Sequence, residues 1–243
     1  MIGTPLKILL SSGLAPSRRS TSAPRRRGVP TGVRRLPGWE MAVLRALDVA
    51  LSAAALAVLA LPMLVTAGVI RLTSRGPALF RQRRVGQDGK PFILYKFRTM
   101  REGCSDEPLR ELIERELRGE DTSADGSFKL HGDQRVTAIG AWLRRTSLDE
   151  LPQLLNVLGG DMALVGPRPC LEWEAAMFPP EYAARTAVKP GLTGLWQVSG
   201  RSRLSTLDML RLDLEYLRCR SLPTDLRILA RTLPSMLRGD GAR

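Results

Sequence analysis

At 243 residues the chain is long enough to bury one good core with a small appendage. Its 37 lysines and arginines outnumber 24 acidic residues, and the net charge of +13 demands an anionic partner: nucleic acid, a lipid head-group surface or phosphorylated substrates. Three scattered cysteines (Cys104, Cys170, Cys219) have neither metal nor disulfide spacing and suit a reducing compartment. The single histidine, His131, excludes a histidine-cluster metal site and reads as an exposed loop residue.

Residues 1–40 are rich in Arg, Pro, Ser and Gly, with basic clusters at Arg18-Arg19, Arg25-Arg26-Arg27 and Arg34-Arg35. So little apolar surface predicts a disordered basic arm. Its short stretch Ile8-Leu9-Leu10 falls short of a secretory signal. Convincing structure opens at Met41, and segment 41–74 reads as membrane-embedded. From Val49 to Ile70 no residue is charged, a run long enough to cross a bilayer core. Arg45 precedes the run while Arg71 and Arg75 follow it, so neither end has the basic excess that orients a simple span. Pro62 interrupts it. The pattern predicts a re-entrant helix that enters, bends at Pro62 and returns, leaving both basic ends on the cytosolic face. A kinked single span is the alternative.

Residues 75–238 form the cytosolic domain, followed by a tail at 239–243. Two β-rich runs, around Phe80–Val85 and Phe92–Phe97, flank Asp88-Gly89 and predict a hairpin. Arg83, Arg84, Lys90, Lys96 and Arg98 make it cationic: either a solvated face or a platform for phosphate or membrane. Residues 102–130 are charged and loosely helical from Glu107 to Gly119, then loop-like, and carry no visible chemistry. Ile139, Trp142 and Leu143 predict a short amphipathic helix that delivers Arg144 and Arg145 to the stretch Ser147-Leu148-Asp149-Glu150-Leu151-Pro152-Gln153. Leucines 148, 151, 154, 155 and 158 keep helical spacing, and Ser147 with Glu150 forms a capping-box pattern. Read blandly, Asp149 and Glu150 complement a helix dipole. Leu204 to Leu217 and Asp225 to Leu237 are amphipathic helices for core packing or the lipid interface. The fold class is α+β: an embedded Pro-kinked helix, a β-hairpin and a helix-rich cytosolic domain with interfacial helices.

Taken in order, Gly76-Pro77 with Phe80-Arg81-Gln82, Tyr95-Lys96-Phe97-Arg98-Thr99-Met100, Arg135-Val136-Thr137, Leu148-Asp149-Glu150-Leu151-Pro152-Gln153, Gly160-Asp161-Met162, Gly166-Pro167-Arg168-Pro169 and Lys189-Pro190-Gly191-Leu192-Thr193-Gly194 form a set. This set resembles the monotopic phosphoglycosyl transferases, bacterial sugar transferases that start glycan assembly on polyprenyl phosphate. The resemblance runs from about Arg45 to Leu233.

It implies a two-step transfer in which Asp149 attacks the sugar-bearing phosphorus of a UDP-sugar, UMP leaves, and the phosphosugar passes to undecaprenyl phosphate. Glu150 becomes the partner of Asp149, assisting the metal or the incoming lipid phosphate. Mg²⁺ is the implied cofactor, with Asp149, Glu150 and Asp161 as the available carboxylates. Arg144 and Arg168 are implied donor-phosphate ligands, with Lys96, Arg98 and Arg201 in the same role; pairing with a neighbouring carboxylate is the structural alternative. The implied setting is the cytosolic face of the inner (cytoplasmic) membrane, with a homodimer allowed and no nucleic acid. The chain departs from the family at Leu61, where a small polar residue often precedes the proline, and at Ala163, where many members carry serine. A rival reading from charge alone is a membrane-anchored protein that binds nucleic acid or anionic lipid.

Overall fold

The computed structural model describes residues 32–101, 103–124, 127–128 and 133–237. His131, the tail 239–243 and most of the basic arm lie outside them. The arm's last residues pack on the body: Leu36 is buried and the Arg34 N–H donates to the Leu217 carbonyl at 2.9 Å. Helix α1, Gly38–Thr73, therefore begins before Met41, directly after Pro37, whose fixed φ suits a helix entrance.

α1 has 36 residues, about 54 Å at the usual rise. Its most apolar 18-residue window has a mean hydropathy of 2.3, and only 6% of that window is buried. Val58, Leu61 and Leu64 project from the body. Pro62, where the sequence predicts a bend, lies inside this helix, whose helical run does not end there. The Thr66 hydroxyl donates back to the Pro62 carbonyl at 2.8 Å, one turn on.

Strands β1 (Leu79–Val85) and β2 (Pro91–Phe97) pair antiparallel, from Leu79 opposite Phe97 to Val85 opposite Pro91. Asp88 (φ 55°) and Gly89 (φ 76°) occupy the left-handed region at the turn, which is why an Asp-Gly pair serves there. Alternation sends Arg84, Leu94 and Lys96 to one face, and Arg81 and Tyr95 to the other, the guanidinium 5.9 Å from the ring centre.

Helix α2 (Glu107–Leu117) follows, then α3 (Ala138–Thr146), capped by the Thr137 hydroxyl, which accepts from the Gly140 N–H. A 3-10 turn, Leu148–Gln153, leads into α4, Leu154–Gly159. Strand β3 (Ala163–Val165) pairs in parallel with β4 (Gly191–Thr193). Between them lie α5 (Glu172–Met177) and a 3-10 helix at Pro180–Ala187. Then come α6 (Leu195–Ser199), α7 (Thr206–Cys219) and α8 (Leu222–Leu237). At Gly191 the chain passes so close to Gly166 that a side chain would strike backbone.

The main core gathers Leu94, Leu154, Val157, Met162, Val165, Tyr216, Leu217 and Ile228. A second cluster of Ile70, Ala78, Phe97 and Leu143 joins the end of α1 to the hairpin and α3. Polar side chains of α1 dock its first half. Arg45 donates to the Val157 and Leu158 carbonyls (2.6 and 2.9 Å), satisfying the open end of α4. Asp48 accepts from the Leu164 N–H at 2.9 Å. Glu40 accepts from the Leu222 N–H where α8 begins. Ala55 and Leu56 pack on the main core; Met63 and Ala67 pack on the second cluster. Both halves of α1 thus rest on one body.

Candidate active site

The Asp-Glu pair sits on the 3-10 turn, and the local geometry differs from a capped helix start. Ser147 has φ 56° and ends α3; its side chain makes no cap hydrogen bond to the turn that follows. The Glu150 N–H instead reaches the Ser147 carbonyl at 3.2 Å. The capping box fails because the Glu150 carboxylate is drawn across to β2, where Lys96 Nζ donates to Oε1 at 2.9 Å. Arg168 Nη1 approaches the same oxygen at 3.7 Å, and its guanidinium carbon lies 5.9 Å from the Trp196 ring centre.

Asp149 is buried, at 8% exposure. Burial raises its carboxyl above the ordinary range, as does neighbouring Glu150, while Lys96, Arg144 and Arg168 pull it down. For Glu150 burial also raises, but Lys96 and Arg168 outweigh it and bring the carboxyl to about 2. The two adjacent acids are thus pushed apart: one permanently charged and ion-paired, the other higher and responsive. Pairs of this kind divide roles in acid, base and nucleophile chemistry. Beside them, Arg84, Leu94, Lys96, Glu150, Arg168, Pro169, Leu192 and Gln197 line a shallow indentation open to solvent. Three cations in its lining, Arg84, Lys96 and Arg168, stand against one carboxylate, Glu150, so it suits an anion such as phosphate.

Six of the residues singled out in the sequence converge. Lys96 comes from β2, Asp149 and Glu150 from the 3-10 turn, and Arg168 from the loop after β3. Arg144, in the last turn of α3, is steadied by the Thr99 hydroxyl (Nε to Oγ1, 3.1 Å) with its charge acting on Asp149. Arg201, a non-glycine residue at φ 52°, acts on Glu150 through its charge.

Arg98 goes elsewhere. Its guanidinium is buried at the end of α1, donating to the Ser74 carbonyl and hydroxyl at 3.0 and 2.8 Å. Its place ties α1 to β2. Asp161 is exposed, beyond Gly160 at the far end of α4 from the pair. Among the described residues no three His, Cys, Asp or Glu side chains gather as a ligand set, so Asp161 is not brought to Asp149 and Glu150.

The structure also adds residues that had no assigned role. Asn156, 1% exposed, accepts from the Tyr95 N–H (3.1 Å) and donates to the Ile93 carbonyl (2.7 Å), clamping α4 to the edge of β2. An asparagine within an apolar helical run was the available signal. Arg84 with Glu174 and Arg185 with Asp213 are buried ion pairs around the Arg168 loop. Their partners lie far apart in sequence, which hides them.

A cationic indentation beside a charge-split carboxylate pair, on a body attached to a long apolar helix, is an arrangement suited to anionic ligands. The chain belongs to the bacterial sugar transferase family, whose model matches residues 39–239. It is 44% identical over 207 residues to a UDP-glucose:undecaprenyl-phosphate glucose-1-phosphate transferase of Caulobacter vibrioides, covering 82% of this chain and 71% of that protein. It is 45% identical over 169 residues to an undecaprenyl-phosphate galactose phosphotransferase of Salmonella typhimurium, covering 69% of this chain and 35% of that protein. It is 43% identical over 169 residues to the galactosyl transferase CpsE of Streptococcus agalactiae, covering 69% of this chain and 36% of that protein. The chain therefore spans about a third of the length of the latter two.

Proposed function

We propose that this chain transfers a sugar-1-phosphate from a UDP-sugar to undecaprenyl phosphate, starting a lipid-linked glycan. The carrying observation is Asp149, buried beside the ion-paired Glu150 and under the charges of Lys96, Arg144 and Arg168. The activities for which the Caulobacter and Salmonella relatives are named support the donor and acceptor classes. The rival nucleic-acid-binding reading draws nothing from the comparisons.

In the first step an Asp149 oxygen attacks the sugar-bearing phosphorus. The new P–O bond forms as the anhydride P–O bond breaks, and UMP leaves with the bridging oxygen. In the second step an oxygen of the lipid phosphate attacks the same phosphorus and returns the Asp149 carboxylate. Splitting the transfer separates two bulky anions that would otherwise have to meet. Arg168 and Lys96 counter the phosphate charge that repels an attacking carboxylate. Glu150 holds those two cations in place. If Mg²⁺ arrives with the diphosphate, Asp149 and Glu150 are the carboxylates that would hold it, and it would neutralise phosphate charge.

α1 embeds the chain in the membrane from one side. Residues near both ends of its uncharged run, Asp48 and Ile70, contact the same body, whereas a single crossing would separate them across the bilayer. This supports an entry and return on the cytosolic face of the inner membrane, where nucleotide sugars are available.

The test is UMP release from a panel of UDP-sugars by membrane fractions with undecaprenyl phosphate and Mg²⁺. Release that requires the lipid phosphate and is lost in Asp149→Asn supports the reading; equal release by the variant contradicts it.

A further inference from the structure

We propose that Arg185, held by Asp213, is a positioning residue for Arg168 and so governs the grip on the donor's phosphates; this rests on the reading above. The loop that carries Arg168 is bound through four consecutive carbonyls. Pro167 accepts from the Gly191 N–H (2.9 Å), Arg168 from Arg185 Nη2 (2.7 Å), Pro169 from Arg84 Nη1 (3.1 Å) and Cys170 from the Val85 N–H (2.9 Å). The prolines on either side have no N–H and a fixed φ, so this backbone has little freedom left.

Arg185 is the one member that reaches Arg168 itself. Its side chain is 7% exposed and that of Asp213 3%. Asp213 Oδ2 takes both Nε (3.1 Å) and Nη2 (2.7 Å), and the Phe178 ring centre lies 5.4 Å from the guanidinium. A buried ion pair gives little net stability compared with apolar packing, because both charges lose their water. What this pair does uniquely is hold a planar fork in one orientation, so that Nη2 meets the Arg168 carbonyl. With that carbonyl pinned, the Arg168 side chain leaves the backbone from a fixed point and reaches Glu150 and Trp196.

The experiment uses the full chain, purified in detergent or in membranes, as Arg185→Met, Arg168→Ala and the double variant. Hydrogen exchange over residues 166–171 is read against α7, and UMP release is read with a UDP-sugar as donor. In Arg185→Met, exchange over 166–171 rises more than in α7. Donor KM rises by about tenfold while kcat changes by less than about threefold. In the Arg168→Ala background the same substitution costs no more than about twofold, because its target is already gone. Unchanged exchange over 166–171, or an equal loss in both backgrounds, overturns the proposal. If Arg185→Met does not fold, Asp213→Asn, which keeps the shape but frees the fork, takes the same two readouts. A wild-type chain that releases no UMP from any UDP-sugar removes the functional reading, and exchange then decides the positioning role alone.

Discussion

Lys96 Nζ stands 2.9 Å from Glu150 Oε1, and the same ammonium is the strongest opposing influence on the neighbouring Asp149, whose carboxyl burial raises. One cation thus serves two acids: it neutralises the first and keeps the second available in its ionised form. Attack requires ionised Asp149, so kcat/KM falls as pH drops through a value above the ordinary aspartate range. Replacing Lys96 with methionine removes the largest lowering influence, and the acid limb moves to higher pH. A pH–rate profile of Lys96→Met against wild type checks this; a limb that stays or moves down contradicts it.

Asp225 gives a stability prediction of separate origin. Burial raises its carboxyl to about 7, helped by Asp48 and Glu40 and opposed by the Tyr216 hydroxyl (2.9 Å) and Arg220. A folded-state value above the unfolded one means the fold holds this proton more tightly. Its contribution is complete below the ordinary value of 3.8 and is lost as pH rises through about 7. Full loss corresponds to about 4 kcal/mol as an upper bound. Asp225→Asn, which still accepts from Tyr216, melts higher than wild type at pH 8 and loses the difference near pH 4. Thermal unfolding in detergent at both pH values provides the comparison.

Asn156 bridges α4 and β2 by satisfying one backbone donor and one backbone acceptor. Asn156→Leu keeps the volume but leaves the Tyr95 N–H and the Ile93 carbonyl without these partners, at about 1–3 kcal/mol each. Denaturant unfolding is expected to show a loss of about 2–4 kcal/mol, the lower part of the summed range for two groups because the site relaxes. No change in midpoint would remove Asn156 as the clamp.

The hairpin and helices α2, α3, α7 and α8 were legible because turn chemistry and periodicity are local signals. Asp88-Gly89 meets a left-handed turn, and the leucines of α7 repeat at helical spacing. The capping box was misread for a long-range reason: Glu150 is taken by Lys96, 54 residues away, while Ser147 is spent ending α3. Arg98 would share the Lys96 face if the strand continued, but β2 ends at Phe97 and alternation stops with it. Asp161 is close to the pair in sequence, yet a 3-10 turn and α4 intervene, and about 1.5–2 Å of rise per residue carries it away. The continuity of α1 through Pro62 was hidden because proline removes one ladder bond without ending a helix whose other bonds remain. Arg185 and Asp213 lie 28 residues apart in ordinary helical contexts, so nothing local marks them as a pair.

The most direct test of the central claim is mass spectrometry of the chain mixed with its UDP-sugar and Mg²⁺ in the absence of lipid phosphate, quenched and digested. A phosphosugar mass is expected on the peptide containing Asp149, absent in Asp149→Asn and lost when undecaprenyl phosphate is supplied. An adduct mapped to another residue, or UMP release at full rate with no adduct at any time, would contradict it.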